Sequence, residues 1–164
     1  MTGHTVIIAA AGSGKTTFLV KEALRKRDGR VLLTTFTNNN EEQLRQKFIE
    51  LAEFIPEHVC VQTWCTFLLK HGVRPFQGCL YDKEIKGLCL TDDRPARYIK
   101  KDEVSSYFFT QGGKIYSDKL SEFAVLCEEK SRGAVSDRLG RIYKYIFIDE
   151  AQDYSPLFYK IIKR

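Results

Sequence analysis

Two short stretches hold residues whose types and spacing suit phosphate chemistry. The first, Val6 to Phe18, reads VIIAAAGSGKTTF, and the second, Tyr145 to Asp153, reads YIFIDEAQD. A loop that wraps a polyphosphate needs small residues, so that consecutive backbone N–H groups can point inward, and a helix N-terminus that adds partial positive charge. Gly12, Ser13 and Gly14 meet that need, although Ala9 stands where the general pattern has glycine. Lys15 then reaches the outer phosphates, and the Thr16 hydroxyl is placed to ligate magnesium. The second stretch supplies what the first lacks. A strand ending in Asp149 and Glu150 sets one carboxylate to hold the magnesium shell and the next to orient and deprotonate a water. Adjacent acids after a strand are often only solvated, and a glycine-rich turn can carry an incidental lysine. Both together, in strand–loop–helix and strand–acid order, point to a nucleotide site, and Glu150 separates hydrolysis from binding or transfer alone.

The elements that must position these residues alternate. Val6 to Ala11 is a continuously apolar run that predicts a buried strand, and Thr17 to Arg27 predicts a helix closed by the RDGR turn. Val31 to Thr35 predicts a second strand. In EEQLRQKFIELAEFI, residues Leu44, Phe48, Leu51 and Ile55 recur at helical spacing, with Asn38 to Asn40 as cap and Pro56 just beyond. Val59 to Gln62 predicts a third strand, and WCTFLLKHG a helix ending at Gly72. From residue 73 to 141 the pattern loosens into what reads as a mostly helical insertion, in which Leu120, Phe123, Ala124 and Cys127 mark one amphipathic helix. Tyr143 to Ile148 is again a strand, and SPLFYKIIKR a helix with Ser155 as cap and Pro156 in its first turn. Apolar strands alternating with helices predict an α/β fold, a parallel sheet covered on both faces, with chemistry at the strands' C-terminal ends.

Composition narrows the classes. At 164 residues the chain has the length of one ordinary domain. The net charge of +5 is spread over short clusters such as Arg25-Lys26-Arg27 and Lys100-Lys101, so charge alone argues only weakly for an anionic partner. The five cysteines show no CxxC pair and are odd in number, which suits reduced thiols better than a disulfide framework or a zinc site. No stretch approaches the ~20 apolar residues of a membrane helix, and a soluble, cytoplasmic protein with no membrane partner is expected.

The string DEAQD is more specific than any generic nucleotide site. Together with AGSGKT, it resembles the UvrD/Rep-like superfamily 1 DNA helicases, whose first RecA-like domain carries that loop and a DExQD box. TTFTNNNEEQLRQKF is similar to the family's motif Ia and VQTWCTF to its motif Ib, although Asn39, Asn40 and Glu41 replace the usual lysine and alanines and Cys65 replaces a histidine. The resemblance implies a P-loop NTPase of RecA-like fold over residues 1–72 and 142–164, with 73–141 as an insertion like the family's 1B subdomain. It implies ATP and Mg2+ as cofactors. Ala11, Gly12, Ser13, Gly14, Lys15, Thr16, Thr17 and Gln152 would bind the nucleotide, Thr16 and Asp149 the metal, and Lys15 and Glu150 would be catalytic. Phe36, Thr37, Asn38, Thr63 and Trp64 would line a track for single-stranded DNA. Aromatics stack on bases of any sequence while hydroxyls and amides hold phosphates, but Phe36 and Trp64 suit a core equally well. The family's next strand, its second RecA-like domain and that domain's arginine fingers have no counterpart here, so the expectation is the N-terminal part of a longer motor, with further motor domains or a nuclease as partners. Two rivals stand beside a helicase or translocase: a non-catalytic nucleotide-binding or interaction module derived from such a motor, and a small-molecule phosphotransferase.

Overall fold

The computed structural model of the chain describes residues 5–8, 13–90, 103–154 and 156–162. Helix α1 (Lys15–Arg25) turns into strand β1 (Val31–Thr35), and helix α2 (Asn38–Ala52) into strand β2 (Val59–Thr63). Helix α3 (Trp64–Phe67) follows β2 without a break and continues as a π-helical segment, Leu68–Val73. Strand β3 (Gly87–Cys89), helix α4 (Val104–Phe108), strand β4 (Lys114–Tyr116) and helices α5 (Leu120–Lys130) and α6 (Ala134–Ile142) come next. Strand β5 (Tyr145–Ile148) rejoins the sheet before helix α7 (Pro156–Ile162).

β1 lies between β2 and β5 and is parallel to both, with Val31 opposite Val59 on one side and Tyr145 on the other. Every residue of β1 is buried, as an unbroken run covered on both faces requires. The pleat sorts them. Val31 and Leu33, with Val59, Val61, Tyr145 and Phe147, pack on Val20 and Ala23 of α1 and on Leu44 and Phe48 of α2. Leu32, Cys60, Ile146 and Ile148 face the other way, into a cluster that holds Phe67, Leu68, Phe123, Ala124 and Ile161. The expected α/β arrangement, a parallel sheet with helices on both faces, is therefore what the chain forms.

Among the described residues between 73 and 141, two short strands accompany the helices. β3 and β4 pair as a parallel two-stranded ribbon, and three residues each are too few for alternation to show in a sequence. The predicted amphipathic helix is there: Leu120, Phe123, Ala124 and Cys127 of α5 are all fully buried. Tyr81 stacks on Phe109 at 4.0 Å, and Phe109 and Phe108 both set their edges to Phe123. These rings belong to the same cluster as Leu32 and Phe67, so the insertion shares its core with one face of the sheet. A buried contact between the Tyr143 hydroxyl and His71 Nε2, 3.2 Å apart, joins the approach to β5 to the π-helical segment. Burial, with help from Lys70, Arg138 and Arg30, takes the His71 pKa down to about 4 and keeps the ring neutral.

Several expectations are corrected. Thr5 to Ile8 form no strand, and Val6 and Ile8 are 83% and 95% exposed. A strand needs a ladder, and among the described residues none runs along the far side of β5. Residues 9–12, Lys100-Lys101 and the Ser155 cap lie outside the described residues. Helix α2 is capped by Thr37 rather than by the asparagines, because the Thr37 hydroxyl sits where it accepts the Asn40 N–H at 3.1 Å. Of its predicted apolar face, Leu44 and Phe48 are buried while Leu51 is exposed near the helix end. The WCTFLLKHG helix widens into a π-helix from Leu68, where five of six residues are buried, among them Gly72, whose Cα faces Ala124 of α5 and Val135 of α6.

Candidate functional site

α1 begins directly after a glycine. Gly14, its N-cap, sits at φ 83°, a left-handed conformation that glycine adopts without strain. A Cβ there would meet nothing within 4 Å, so the backbone conformation rather than space demands glycine. No described side chain caps α1, and its first turn has no acidic residue, so the N–H groups of that turn face outward with their partial positive charge. Lys15 and Thr16 open the helix and are half-buried, as is Thr17, while Ser13 is exposed. Thr16 also lines a cleft shared with Asn39, Gln43 and Gln46 of α2. Ala11 and Gly12 lie outside the described residues.

The acidic pair stands at the end of β5. The Asp149 N–H donates to Thr34 O at 2.9 Å, which extends the ladder by one residue and fixes the direction of the side chain. Its carboxyl is buried, and Oδ1 accepts the Glu150 N–H at 3.1 Å. Burial, and then the Glu150 charge, push the Asp149 pKa above the usual carboxylate range, while the Glu150 N–H and Lys15 pull it back. Glu150 takes φ 51° and ψ 51°, a left-handed conformation uncommon for a residue with a side chain. Its carboxylate is held from two sides, by Gln152 Nε2 at 2.5 Å and by Lys15 Nζ at 3.8 Å. Two acids against one lysine form a hard-oxygen set short of positive charge, which is what a divalent cation completes.

The same C-terminal end of the sheet carries the residues expected to meet DNA. Thr63, the last residue of β2, is buried and committed: its N–H donates to Glu41 Oε2 at 2.8 Å, and its hydroxyl caps α3 and donates to Thr66 Oγ1 at 2.9 Å. Arg45 secures that arrangement by pairing with Glu41 at 2.7 Å and donating to Val61 O at 2.6 Å. Thr37 and Asn38 are exposed at the start of α2. Trp64 is only 6% exposed, with its ring parallel to Phe36, 9° off plane at 6.4 Å, and the Tyr154 ring set edge-on at 5.7 Å. Trp64 is thus a core residue, and Phe36, 41% exposed, is the ring that faces solvent. Tyr154 closes the cluster, 6.1 Å from Phe36. Its only signal in the sequence is an aromatic directly after DEAQD.

The sequence profile of the UvrD/REP helicase N-terminal domain matches residues 1–88, more than half of the chain. The chain belongs to that family. No curated protein matches it.

The UvrD/REP match ends well before the acidic pair. The fold therefore adds what the match does not cover: it carries Asp149 and Glu150, from the far end of the chain, to Lys15 at the head of α1. Among the described residues no helix is long and apolar enough to cross a membrane.

Proposed function

We propose that this UvrD/REP-family chain is the ATP-binding part of an ATP-hydrolysing helicase or translocase that works on single-stranded DNA in the cytoplasm. Its sheet is read as RecA-like over residues 1–72 and 142–164, with 73–141 as the counterpart of the 1B subdomain, and further motor domains or a nuclease would complete it. The observation that carries this reading is the approach of Lys15 to Glu150 at 3.8 Å. A glycine turn, a lysine at an uncapped helix N-terminus and a strand-end acid pair converge on one point, which suits a nucleotide triphosphate.

The residues present fit Mg2+ and ATP. When bound, the metal supplies charge neutralisation on the phosphate oxygens. Gly12, Ser13, Gly14 and the first turn of α1 would donate backbone N–H groups to the phosphates, with Ala11, Thr17 and Gln152 as further nucleotide-binding residues. Lys15 would pair with the outer phosphates. Thr16 and Asp149 would hold the metal. Glu150 would orient a water and take its proton at the carboxylate. Phe36 offers a face to a base, with the Thr37 hydroxyl and Asn38 amide beside it for the phosphodiester.

A titration with a fluorescent ATP analogue, with and without magnesium, tests the reading. Lys15→Ala should weaken binding severely, because only backbone donors remain, whereas equal affinity in variant and parent removes the phosphate-loop assignment.

A further inference from the structure

Tyr154 belongs to neither half of the proposed function, yet it touches both. It follows the acidic box through a single tight turn, Ala151–Asp153, whose backbone bonds run from Asp153 N–H to Glu150 O at 3.0 Å and from Tyr154 N–H to Ala151 O. On that side any rotation at Glu150 is passed along a chain of four bonded residues. On the other side its ring lies edge-on to both Trp64 and Phe36, at 63° and 69°. Trp64 and Tyr154 are buried and Phe36 packs against both, so a shift of one ring is felt by the others.

The state of the acidic box in this structure gives such a shift a cause. Glu150 is held in a left-handed conformation while its carboxylate engages Lys15 and Gln152. Phosphates that take Lys15 away remove one of those two restraints, and the residue that follows the box is Tyr154. Resting on the function proposed above, we propose that Tyr154 is the positioning residue that couples the two ends: nucleotide at Lys15 and Glu150 resets the Tyr154 ring, and the ring resets the Phe36 face that grips single-stranded DNA. Tyr154 itself contacts neither ligand.

Trp64 is the single tryptophan of the chain, so its emission reports the contact with Tyr154 directly. A non-hydrolysable ATP analogue with magnesium is titrated by calorimetry to saturation, and Trp64 emission is read at the same points without DNA. The affinity for a labelled oligothymidylate is then measured by anisotropy with and without the analogue. In the parent, and in Tyr154→Phe, which keeps the ring, the analogue should shift Trp64 emission and change oligonucleotide affinity by at least about fivefold. Tyr154→Leu should still bind each ligand alone with near-parent affinity, yet show no emission shift and equal oligonucleotide affinity with and without the analogue. A tyrosine that only fills the core would lower stability or both affinities and leave their coupling intact, and that result overturns the proposal. Loss of coupling in Tyr154→Phe overturns the assignment to the ring. So does a parent in which saturating analogue leaves Trp64 emission and oligonucleotide affinity unchanged, a result that needs no variant to fold. A parent that binds no analogue or no oligonucleotide refutes instead the function on which the proposal rests.

Discussion

Phe36 and Trp64 stack on each other, yet their truncations should have opposite signatures. Trp64 is 6% exposed and packs against the rings of both Phe36 and Tyr154. Cutting it to alanine leaves a cavity in the core, which for a buried tryptophan costs about 3 to 5 kcal/mol of stability. Phe36 is 41% exposed, so part of it is already open to solvent. Truncation there removes the packing of a little over half a ring and one aromatic pair, about 1 to 2 kcal/mol. For DNA the order reverses. A base stacked on the Phe36 ring contributes about 1 to 3 kcal/mol, or roughly 5- to 150-fold in Kd. Urea denaturation followed by circular dichroism reads the first quantity, and anisotropy of a labelled oligothymidylate reads the second. Phe36→Ala should lose DNA affinity with a small stability change, and Phe36→Tyr should restore the affinity. A Phe36→Ala chain that is folded and binds the oligonucleotide as the parent does would refute the stacking assignment. A Trp64→Ala chain of parent stability would refute its place in the core.

Asp149 should cost stability at neutral pH. Its folded pKa is raised above the ordinary 3.8 by burial and by Glu150, so the folded state holds the proton more tightly than the unfolded one. The favourable contribution is complete below the unfolded pKa and is lost as pH rises through the folded value. Without magnesium, Asp149→Asn should therefore melt no lower than the parent at pH 7, with the difference shrinking toward pH 4; a lower melting temperature at pH 7 contradicts the electrostatics. In the complete motor, Glu150→Gln should keep ATP and DNA binding while phosphate release falls by a factor of at least about 100, and near-parent turnover would reassign the base. The 164-residue chain alone should bind Mg-ATP but turn it over slowly, since an arginine finger supplied by another domain accounts for a factor of about 10³ to 10⁵; strong DNA-stimulated phosphate release would contradict this. Among the described residues no strand pairs with the far side of β5, and this edge together with the exposed Val6, Ile7 and Ile8 favours association. Sedimentation velocity should show oligomers that grow with concentration and recede in Ile8→Lys, and a strictly monomeric parent would count against it.

β1 and β2 were legible in the sequence because they are buried on both faces, and an unbroken VLLTT or VCVQT has few other readings. α5 was legible for the complementary reason: Leu120, Phe123, Ala124 and Cys127 mark one helical face, and all four are buried. Val6 to Ile8 has the same apolar signature as β1 but lies exposed, because a strand's burial depends on neighbours that its own residues do not encode. β3 and β4 are too short to carry a period. The cap of α2 is Thr37 rather than any of Asn38 to Asn40, since TNNN offers four capping side chains and only backbone geometry selects among them. In the candidate site the chemistry of Lys15, Asp149 and Glu150, and their convergence at one end of the sheet, was visible as residue types, spacing and order; the direct Lys15–Glu150 contact at 3.8 Å was not. Glu41, which holds the Thr63 N–H, and Tyr154, which closes the aromatic cluster, act across the fold and left no local pattern.

The central claim is that one nucleotide sits between the head of α1 and the end of β5, displacing Lys15 from Glu150. A crystal structure of the chain with a magnesium-bound, non-hydrolysable ATP analogue tests it most directly. Lys15 Nζ should lie within hydrogen-bond distance of the outer phosphates, clearly separated from the Glu150 carboxylate, with backbone N–H groups of Gly12 to Lys15 on the phosphate oxygens. An analogue bound elsewhere, or one bound while Lys15 still pairs with Glu150, would contradict the account.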